Sequence, residues 1–261
     1  MAAIKVLISG ITGKMGLEAV AAVSSETNME LIGGTCAHDR GPTLATPVGN
    51  VALSTDLDSL LEQSQPEVML ELTNSTVGMD AAVKAAARKV NIVMGASGFS
   101  EEQLKQLDVL ANENSIGIIV APNFALGAVV LKKLAEQAAP YFDYVDIVES
   151  HHEAKIDSPS GFALNLMRSL GERKHYTRNQ PEKENLDNTR GGEYNGISVH
   201  SIRMPGKSAH HEVIFGLAGQ TVSIKHDTLD RSCYMPGVVR CINDVVTCRG
   251  LVIGLENVLG L

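Results

Sequence analysis

Near its start the chain runs from the short β-branched stretch Ile4 to Ser9, IKVLIS, through Gly10-Ile11-Thr12-Gly13-Lys14-Met15-Gly16 into the helix-like LEAVAAVSS. A strand, a glycine turn and a helix in that order admit few folds. Glycines at such a turn let the backbone approach a pyrophosphate, and the N-terminus of the following helix stabilises its charge. The spacing is G-x-x-G-x-x-G, not the commoner G-x-G-x-x-G, so the nucleotide reading rests on context: the turn opens the first of several βα units.

Those units follow in order. Glu30 to Thr35 reads as a second strand, ending at Cys36, Ala37, His38, Asp39 and Arg40. No acid stands immediately at that strand end, where dinucleotide folds place one on the adenosine ribose. His38 and Arg40 suit a 2'-phosphate, while Asp39 keeps the ribose reading open. Thr43 to Val51, with its Gly and Pro, reads as loop. Thr55 or Asp56 then caps a helix through Glu62, Val68 to Leu72 is a strand, and Thr73-Asn74-Ser75 caps an Ala-rich helix to about Val90. Asn91 to Met94 forms the next strand, ending at Gly95-Ala96-Ser97-Gly98. A capping box of Ser100 and Gln103 opens a helix, and the strand Ile116 to Val120 leads into Ala121-Pro122-Asn123-Phe124. The alternation predicts a parallel sheet with ligand at the carboxyl ends of its strands. Three loops are expected to meet there: Gly10 to Gly16, Gly95 to Gly98 and Ala121 to Phe124.

After Phe124 the texture changes to a long helix-like stretch to about Tyr141, then a strand, a polar loop and three alternating runs: ISVHSIR, HEVIFGLA and QTVSIKHDT. Gly219-Gln220 is the expected turn between the last two. The fold class is α/β: an N-terminal Rossmann-like parallel sheet with a second α+β domain built on an open mixed sheet. The expected boundaries give residues 1–123 plus 233–261 to dinucleotide binding and 124–232 to substrate binding and oligomerisation. A helix from Pro236 to about Thr247 is expected to pack back on the first domain.

The stretch Glu149 to Gly161, ESHHEAKIDSPSG, follows the strand-like Tyr144 to Val148. Its polar residues are expected to emerge together from the strand's end. Histidine titrates near neutral pH, and a neighbouring lysine donates a proton or holds an anion. Pro159-Ser160-Gly161 opens the apolar, helix-like segment Phe162 to Leu170, so the N–H groups of Ser160 and Gly161 are expected to form an anion cradle for a carboxylate or phosphate. No third His, Cys or Asp stands at zinc spacing, and no metal is expected.

Composition narrows the partners. A formal net charge of −8 over 261 residues argues against a general nucleic-acid binder, so an anionic ligand must be drawn by local basic groups. Cys36, Cys233, Cys241 and Cys248 show no C-x-x-C spacing and suit reduced thiols. The first strand follows Met1 closely, leaving no room for a signal peptide, and no apolar run is long enough to span a bilayer. A cytoplasmic protein is expected, binding neither membrane nor nucleic acid.

Taken together, Gly10-x-x-Gly13-x-Met15-Gly16, Gly95-x-x-Gly98-Phe99, Ala121-Pro-Asn-Phe124, SAHHEVIFG from Ser208 to Gly216, Arg231 and above all ESHHEAKIDSPSG resemble the 4-hydroxy-tetrahydrodipicolinate reductase (dihydrodipicolinate reductase) family over essentially the full length. The resemblance implies a homotetramer that reduces a small dicarboxylate heterocycle with NADPH or NADH, in the diaminopimelate and lysine route. It implies His151 as acid/base, Lys155 as second proton donor, and His152, Ser160, Gly161 and Phe162 around the substrate's carboxylates. Gly10, Ile11, Thr12, Gly13, Lys14, Met15, Gly16, His38, Gly95, Ala96, Ser97, Ala121, Pro122, Asn123, Phe124 and Arg231 are the implied cofactor residues. Three positions depart from the family pattern: Phe162 replaces a Thr, Glu71-Leu72-Thr73 replaces Asp-Phe-Thr, and Gly95-Ala96-Ser97-Gly98 replaces Gly-Thr-Thr-Gly. Phe162→Thr is therefore expected to improve the substrate constant with little change in stability. Two rivals stay open: another two-domain dehydrogenase of an amino acid or semialdehyde, and a non-catalytic or weakly active dinucleotide-binding relative.

Overall fold

The computed structural model describes residues 2–261. The chain divides into two units, one made of residues up to Leu126 together with Arg231–Leu261, the other of Gly127–Asp230. In the first unit β1 (Ile4–Ser9), α1 (Lys14–Ser25), β2 (Met29–Thr35), β3 (Thr43–Thr46), β4 (Gly49–Ser54), α2 (Leu57–Ser64), β5 (Val68–Glu71), α3 (Ser75–Ala87), β6 (Asn91–Met94), α4 (Glu101–Asn114) and β7 (Gly117–Val120) follow one another. The second holds all but the first residue of α5 (Leu126–Ala138), then β8 (Tyr144–His151), α6 (Gly161–Gly171), β9 (Gly192–Tyr194), β10 (Ile197–Arg203), β11 (Ala209–Leu217) and β12 (Gln220–Thr228). The chain then returns to the first unit as α7 (Met235–Val245), β13 (Gly250–Ile253) and α8 (Leu255–Val258).

Among the described residues the first unit's strands form one eight-stranded sheet in the order β13-β7-β6-β5-β1-β2-β4-β3. Every neighbouring pair is parallel except β3 with β4. The near-continuous apolar runs have a physical reason: Val6, Leu7, Ile8, Met69, Leu70, Ile92, Val93, Ile118 and Ile119 are fully buried because helices cover both faces. Each such side chain contributes about 1.5–3 kcal/mol of transfer free energy. On one face Leu57, Leu60 and Leu61 of α2, Ala81, Ala82 and Ala85 of α3 and Leu107 of α4 join this core. On the other, α7 packs against α1, β6 and β7.

The helix starts follow local chemistry. The Asp56 carboxylate accepts from the N–H groups of Asp58 and Ser59, Asn74 accepts from Thr76 and Val77, and Ser100 with Gln103 forms the reciprocal capping box. One stretch departs from expectation. Thr43–Val51 is not loop but an antiparallel hairpin on the sheet edge, with Thr46 opposite Gly49 and Pro47-Val48 as its turn. Its Pro and Gly mark the turn itself, flanked by half-buried alternating residues.

The second unit holds a five-stranded sheet ordered β12-β11-β8-β10-β9, with β8 parallel to β10 and antiparallel to β11. This is the expected open mixed sheet. Val145, Ile147, Val199, Val213 and Phe215 face Leu131 and Ala135 of α5 and Ala163, Leu166, Met167 and Leu170 of α6. The β11–β12 turn is Ala218-Gly219, one residue earlier than expected, because Leu217 pairs with Gln220 and Gly219 takes φ +76°. The central strand also runs further than its apolar pattern suggested. Hydrogen-bonded neighbours on both sides carry β8 through Glu149, Ser150 and His151.

At the order reversal beside β1, the glycine turn leaves no room for larger side chains. Gly10 has φ +81°, and a Cβ on Gly16 would stand 2.2 Å from the Gly10 carbonyl oxygen and 2.5 Å from that of Ile11. Gly13 is looser, its nearest contact being the Gly10 oxygen at 3.2 Å. We therefore expect Gly16→Ala to cost about 1–3 kcal/mol, in the range of core overpacking, and Gly13→Ala clearly less. Urea unfolding checks this, and equal stability of the two variants would contradict the close approach.

Candidate active site

Strand alternation carries the apolar face of the second unit's sheet into a polar cluster. Val145 and Ile147 on β8 are followed on the same face by Glu149 and His151; Ile197 and Val199 on β10 by Ser201 and Arg203; and Phe215 and Val213 on β11 lead back to His211. Glu149 is fully buried and sits at the centre. Its Oε2 lies 2.5 Å from His151 Nδ1 and accepts from Arg203 Nη1 at 3.0 Å. Its Oε1 accepts from Arg203 Nη2 at 2.7 Å and from the Ser160 N–H at 3.3 Å. Arg203 Nη2 also donates to the Asp157 carbonyl at 2.8 Å, tethering the loop that carries Lys155.

The electrostatics follow from that packing. Burial acts to raise the Glu149 carboxyl, but the Arg203 guanidinium, with Ser201 and His151, outweighs it and holds the group below its ordinary range. Burial pulls His151 below its usual value; Glu149 opposes this, while the charges on Lys155 and Arg203 add to it. His211 packs edge-on to His151 with ring centroids 5.3 Å apart and lies 3.3 Å through Nε2 from the Ser160 hydroxyl. Burial pushes His211 down to about 3, so it is neutral at physiological pH.

Pro159-Ser160-Gly161 opens α6 as expected, and the Ser160 side chain caps it, Oγ accepting from the Ala163 N–H at 3.2 Å. Of the two N–H groups expected to face an incoming anion, that of Ser160 also donates to the chain's own Glu149 carboxylate at 3.3 Å. Lys155 Nζ pairs with Asp157 at 2.6 Å, the main reason the Asp157 carboxyl is held low. His152 is exposed at the start of the loop. The Phe162 ring is half-buried; it joins the unit's apolar core and lies 4.5 Å from His211. The structure thus brings together His151, Ser160 and Phe162, with Lys155 on the adjoining loop. Glu149, Arg203 and His211 are the partners that the sequence reading missed as site residues. Following the alternation of YVDIVESH beyond Val148 would have placed Glu149 inward with His151, whereas no local pattern marks Arg203.

Apart from Arg231, the first unit places the implied cofactor residues after the carboxyl ends of β1, β2, β6 and β7. A Cβ on Gly10 would meet Thr73, and one on Gly95 would meet Phe124 and Leu72, so the loops after β1, β6 and β7 are linked through Leu72-Thr73 after β5. Helix α1 begins at Gly13 without a capping side chain, unlike α2, α3 and α4. Its first-turn N–H groups at Lys14, Met15 and Gly16 therefore suit a pyrophosphate, and the residues present fit a dinucleotide. At the end of β2, Ala37, His38 and Arg40 are exposed, and one Asp39 oxygen accepts from its own loop at the Gly41 N–H, 2.9 Å away. Arg231 is exposed in a short 3-10 turn before α7. Glu71 is buried, with Oε1 on Thr73 and Oε2 unpartnered; burial raises its carboxyl. Among the described residues no group of His, Cys, Asp and Glu could hold a metal ion, and no helix is long and apolar enough to cross a membrane.

Comparison with known proteins gives the family, with two sequence models that meet near the first unit boundary. The sequence model "Dihydrodipicolinate reductase, N-terminus" matches residues 4–124, and "Dihydrodipicolinate reductase, C-terminus" matches 127–259. The chain belongs to the dihydrodipicolinate reductase family. A 4-hydroxy-tetrahydrodipicolinate reductase of Dehalococcoides mccartyi strain BAV1 is 45% identical over 263 residues, covering 100% of each chain. That of Bacillus subtilis strain 168 is 40% identical, covering 98% of each. Among solved structures, a dipicolinate-bound dihydrodipicolinate reductase from Paenisporosarcina sp. TG-14 has a TM-score of 0.88 at 40% identity, covering 98% of this chain and 99% of that one. An amine dehydrogenase from Mycobacterium smegmatis, with a TM-score of 0.66 at 17% identity, shares the fold. The family's N-terminal domain binds dinucleotide, as NADH or NADPH.

Two expectations follow for the buried rings. His151, His211 and His226 are all lowered by burial, so the unfolded chain protonates near pH 6.5 while the native state resists. Their contribution is complete at neutral pH and is lost as pH falls below about 6.5; for His211, which stays neutral down to about 3, the loss is about 1.4 kcal/mol per pH unit across that window. Urea midpoints at pH 7 and 5 should fall accordingly, and less steeply in His211→Gln; an identical slope in that variant would count against the burial argument. Because Phe162 packs into the core, Phe162→Thr should cost about 1–3 kcal/mol of stability whatever it does to the substrate constant. Thermal unfolding that leaves the midpoint unchanged would show the ring to be solvated.

Proposed function

We propose that this chain catalyses the NAD(P)H-dependent reduction of 4-hydroxy-tetrahydrodipicolinate to tetrahydrodipicolinate, in diaminopimelate and lysine biosynthesis. The substrate loses water and gains a hydride and a proton. When bound, the nicotinamide supplies the hydride; the protein supplies orientation and the proton. His151, seated on the buried Glu149 carboxylate at 2.5 Å, is the observation that carries the reading. A buried carboxylate that tethers a titratable ring is an acid/base device. It has no use in a relative that only senses dinucleotide.

In this reading His151 is the acid that delivers the proton and Lys155 is the second donor. His152, Ser160, Gly161 and Phe162 surround the substrate's carboxylates at the N-terminus of α6, where the helix dipole favours an anion. The solved relative from Paenisporosarcina holds dipicolinate, a ring with two carboxylates, which supports a ligand of that class here. Gly10, Ile11, Thr12, Gly13, Lys14, Met15 and Gly16 would hold the pyrophosphate, His38 the adenosine end, and Gly95, Ala96, Ser97, Ala121, Pro122, Asn123, Phe124 and Arg231 the remainder. We place the enzyme in the cytoplasm as a homotetramer, with residues 1–123 plus 233–261 binding dinucleotide and 124–232 serving substrate and assembly.

The direct test is nicotinamide absorbance when purified protein meets NADPH or NADH and the condensation product of pyruvate and aspartate semialdehyde. Oxidation of the cofactor that depends on this product is expected, and none with either cofactor would refute the activity. His151→Gln should lower kcat by roughly 100-fold to 10,000-fold while leaving NADPH binding intact. Lys155→Ala should lower kcat and also raise KM. Unchanged turnover in the histidine variant would remove it from the chemistry.

A further inference from the structure

We propose that Glu149, clamped by Arg203, is the positioning residue of this reaction, fixing His151 with its Nδ1 proton directed inward so that Nε2 alone exchanges protons with substrate. The inference rests on the reading of His151 as the acid. Four donors converge on the carboxylate: His151 at 2.5 Å, Arg203 at 2.7 and 3.0 Å, and the Ser160 N–H at 3.3 Å. An ionised carboxylate only accepts, so a neutral His151 must carry its hydrogen on Nδ1 to make this contact. The imidazole is further confined by His211, edge-on at 5.3 Å.

Arg203 has a distinct task. A carboxylate with no solvent exposure would otherwise take up a proton, or share the one on His151, and the tautomer would be lost. The two-pronged guanidinium keeps Glu149 an acceptor, and its third bond, to the Asp157 carbonyl, holds the Lys155 loop to the same anchor. Stability alone does not call for this arrangement. Replacing a buried ion pair with apolar side chains of equal volume is commonly neutral or stabilising, so charges kept here and aimed at one ring point to a function for that ring.

The experiment uses the full chain. Long-range proton–nitrogen NMR of the histidines reads the tautomer without turnover, so it stands even if the proposed reaction fails. Wild-type His151 is expected protonated on Nδ1 when neutral, and Glu149→Gln to mix the tautomers. In that variant kcat should fall about 100-fold with KM changed by less than about threefold. Activity lost with rising pH should be lost about one unit lower, because His151 then faces Arg203, Lys155 and the neutral His211 without the balancing carboxylate. Arg203→Lys, which keeps a cation but not the fork, should lower kcat about tenfold. A wild-type His151 protonated on Nε2, or a folded Glu149→Gln within about threefold of wild-type kcat, overturns the proposal. Should Glu149→Gln not fold, the wild-type tautomer and Arg203→Lys decide: Nδ1 protonation with reduced kcat supports it, and either result reversed overturns it.

Discussion

The second unit is built around a carboxylate that water never reaches. Glu149 lies on the central strand of a mixed sheet, at the point where its core-facing stripe passes from Val145 and Ile147 to polar residues. Removing one of its donors would leave a charge buried and short of partners, a situation that costs several kcal/mol. That penalty specifies the local structure. It draws Arg203 from β10, fixes the ring of His151 on β8, and anchors the first residue of the α6 turn through Ser160. Three elements distant in sequence are thereby registered on one side chain.

The first unit is organised by the opposite device, a place where side chains are absent. Gly10 and Gly16 allow the turn after β1 to fold so tightly that a methyl group would meet a carbonyl oxygen. Because α1 starts there without a capping side chain, its first N–H groups stay available for an anion. Elsewhere in the sheet, Asp56, Asn74 and Ser100 close the helix starts from within. The contrast sets α1, which opens straight from the glycine turn, apart from α2, α3 and α4, whose first N–H groups are taken by their own caps.

Much of this was legible in the sequence because the informative interactions are local. A cap spans three residues, as in Ser100 and Gln103, and a strand buried on both faces reads as a continuous apolar run, as in Ile118 and Ile119. The hairpin at Thr43–Val51 was missed because its Pro and Gly describe only the turn, and the pairing of its arms is a tertiary fact. His151 and Lys155 stood out as chemistry-bearing residue types in one cluster. Arg203 did not, since its contact with Glu149 joins positions 54 residues apart and nothing in either neighbourhood encodes it. At the start of α6 the helix N-terminus was legible, but the Glu149 carboxylate that accepts from the Ser160 N–H was not.

Internal partners of this kind bear on the energetics of substrate binding. Lys155 already holds Asp157 at 2.6 Å. On the proposed reading, a substrate carboxylate arriving at Lys155 exchanges one anion for another, and only the difference between the two sets of contacts would appear as affinity. This suits a protein of net charge −8, which would gain little from an open cationic site that any small anion could fill. It also bears on Phe162. With its ring packed on His211 and the apolar core, it leaves the polar contacts of the turn to backbone and to Ser160. On the same reading, discrimination would come from matching two carboxylates at once, because a single one gains only the difference between substrate and Asp157 as a partner for Lys155.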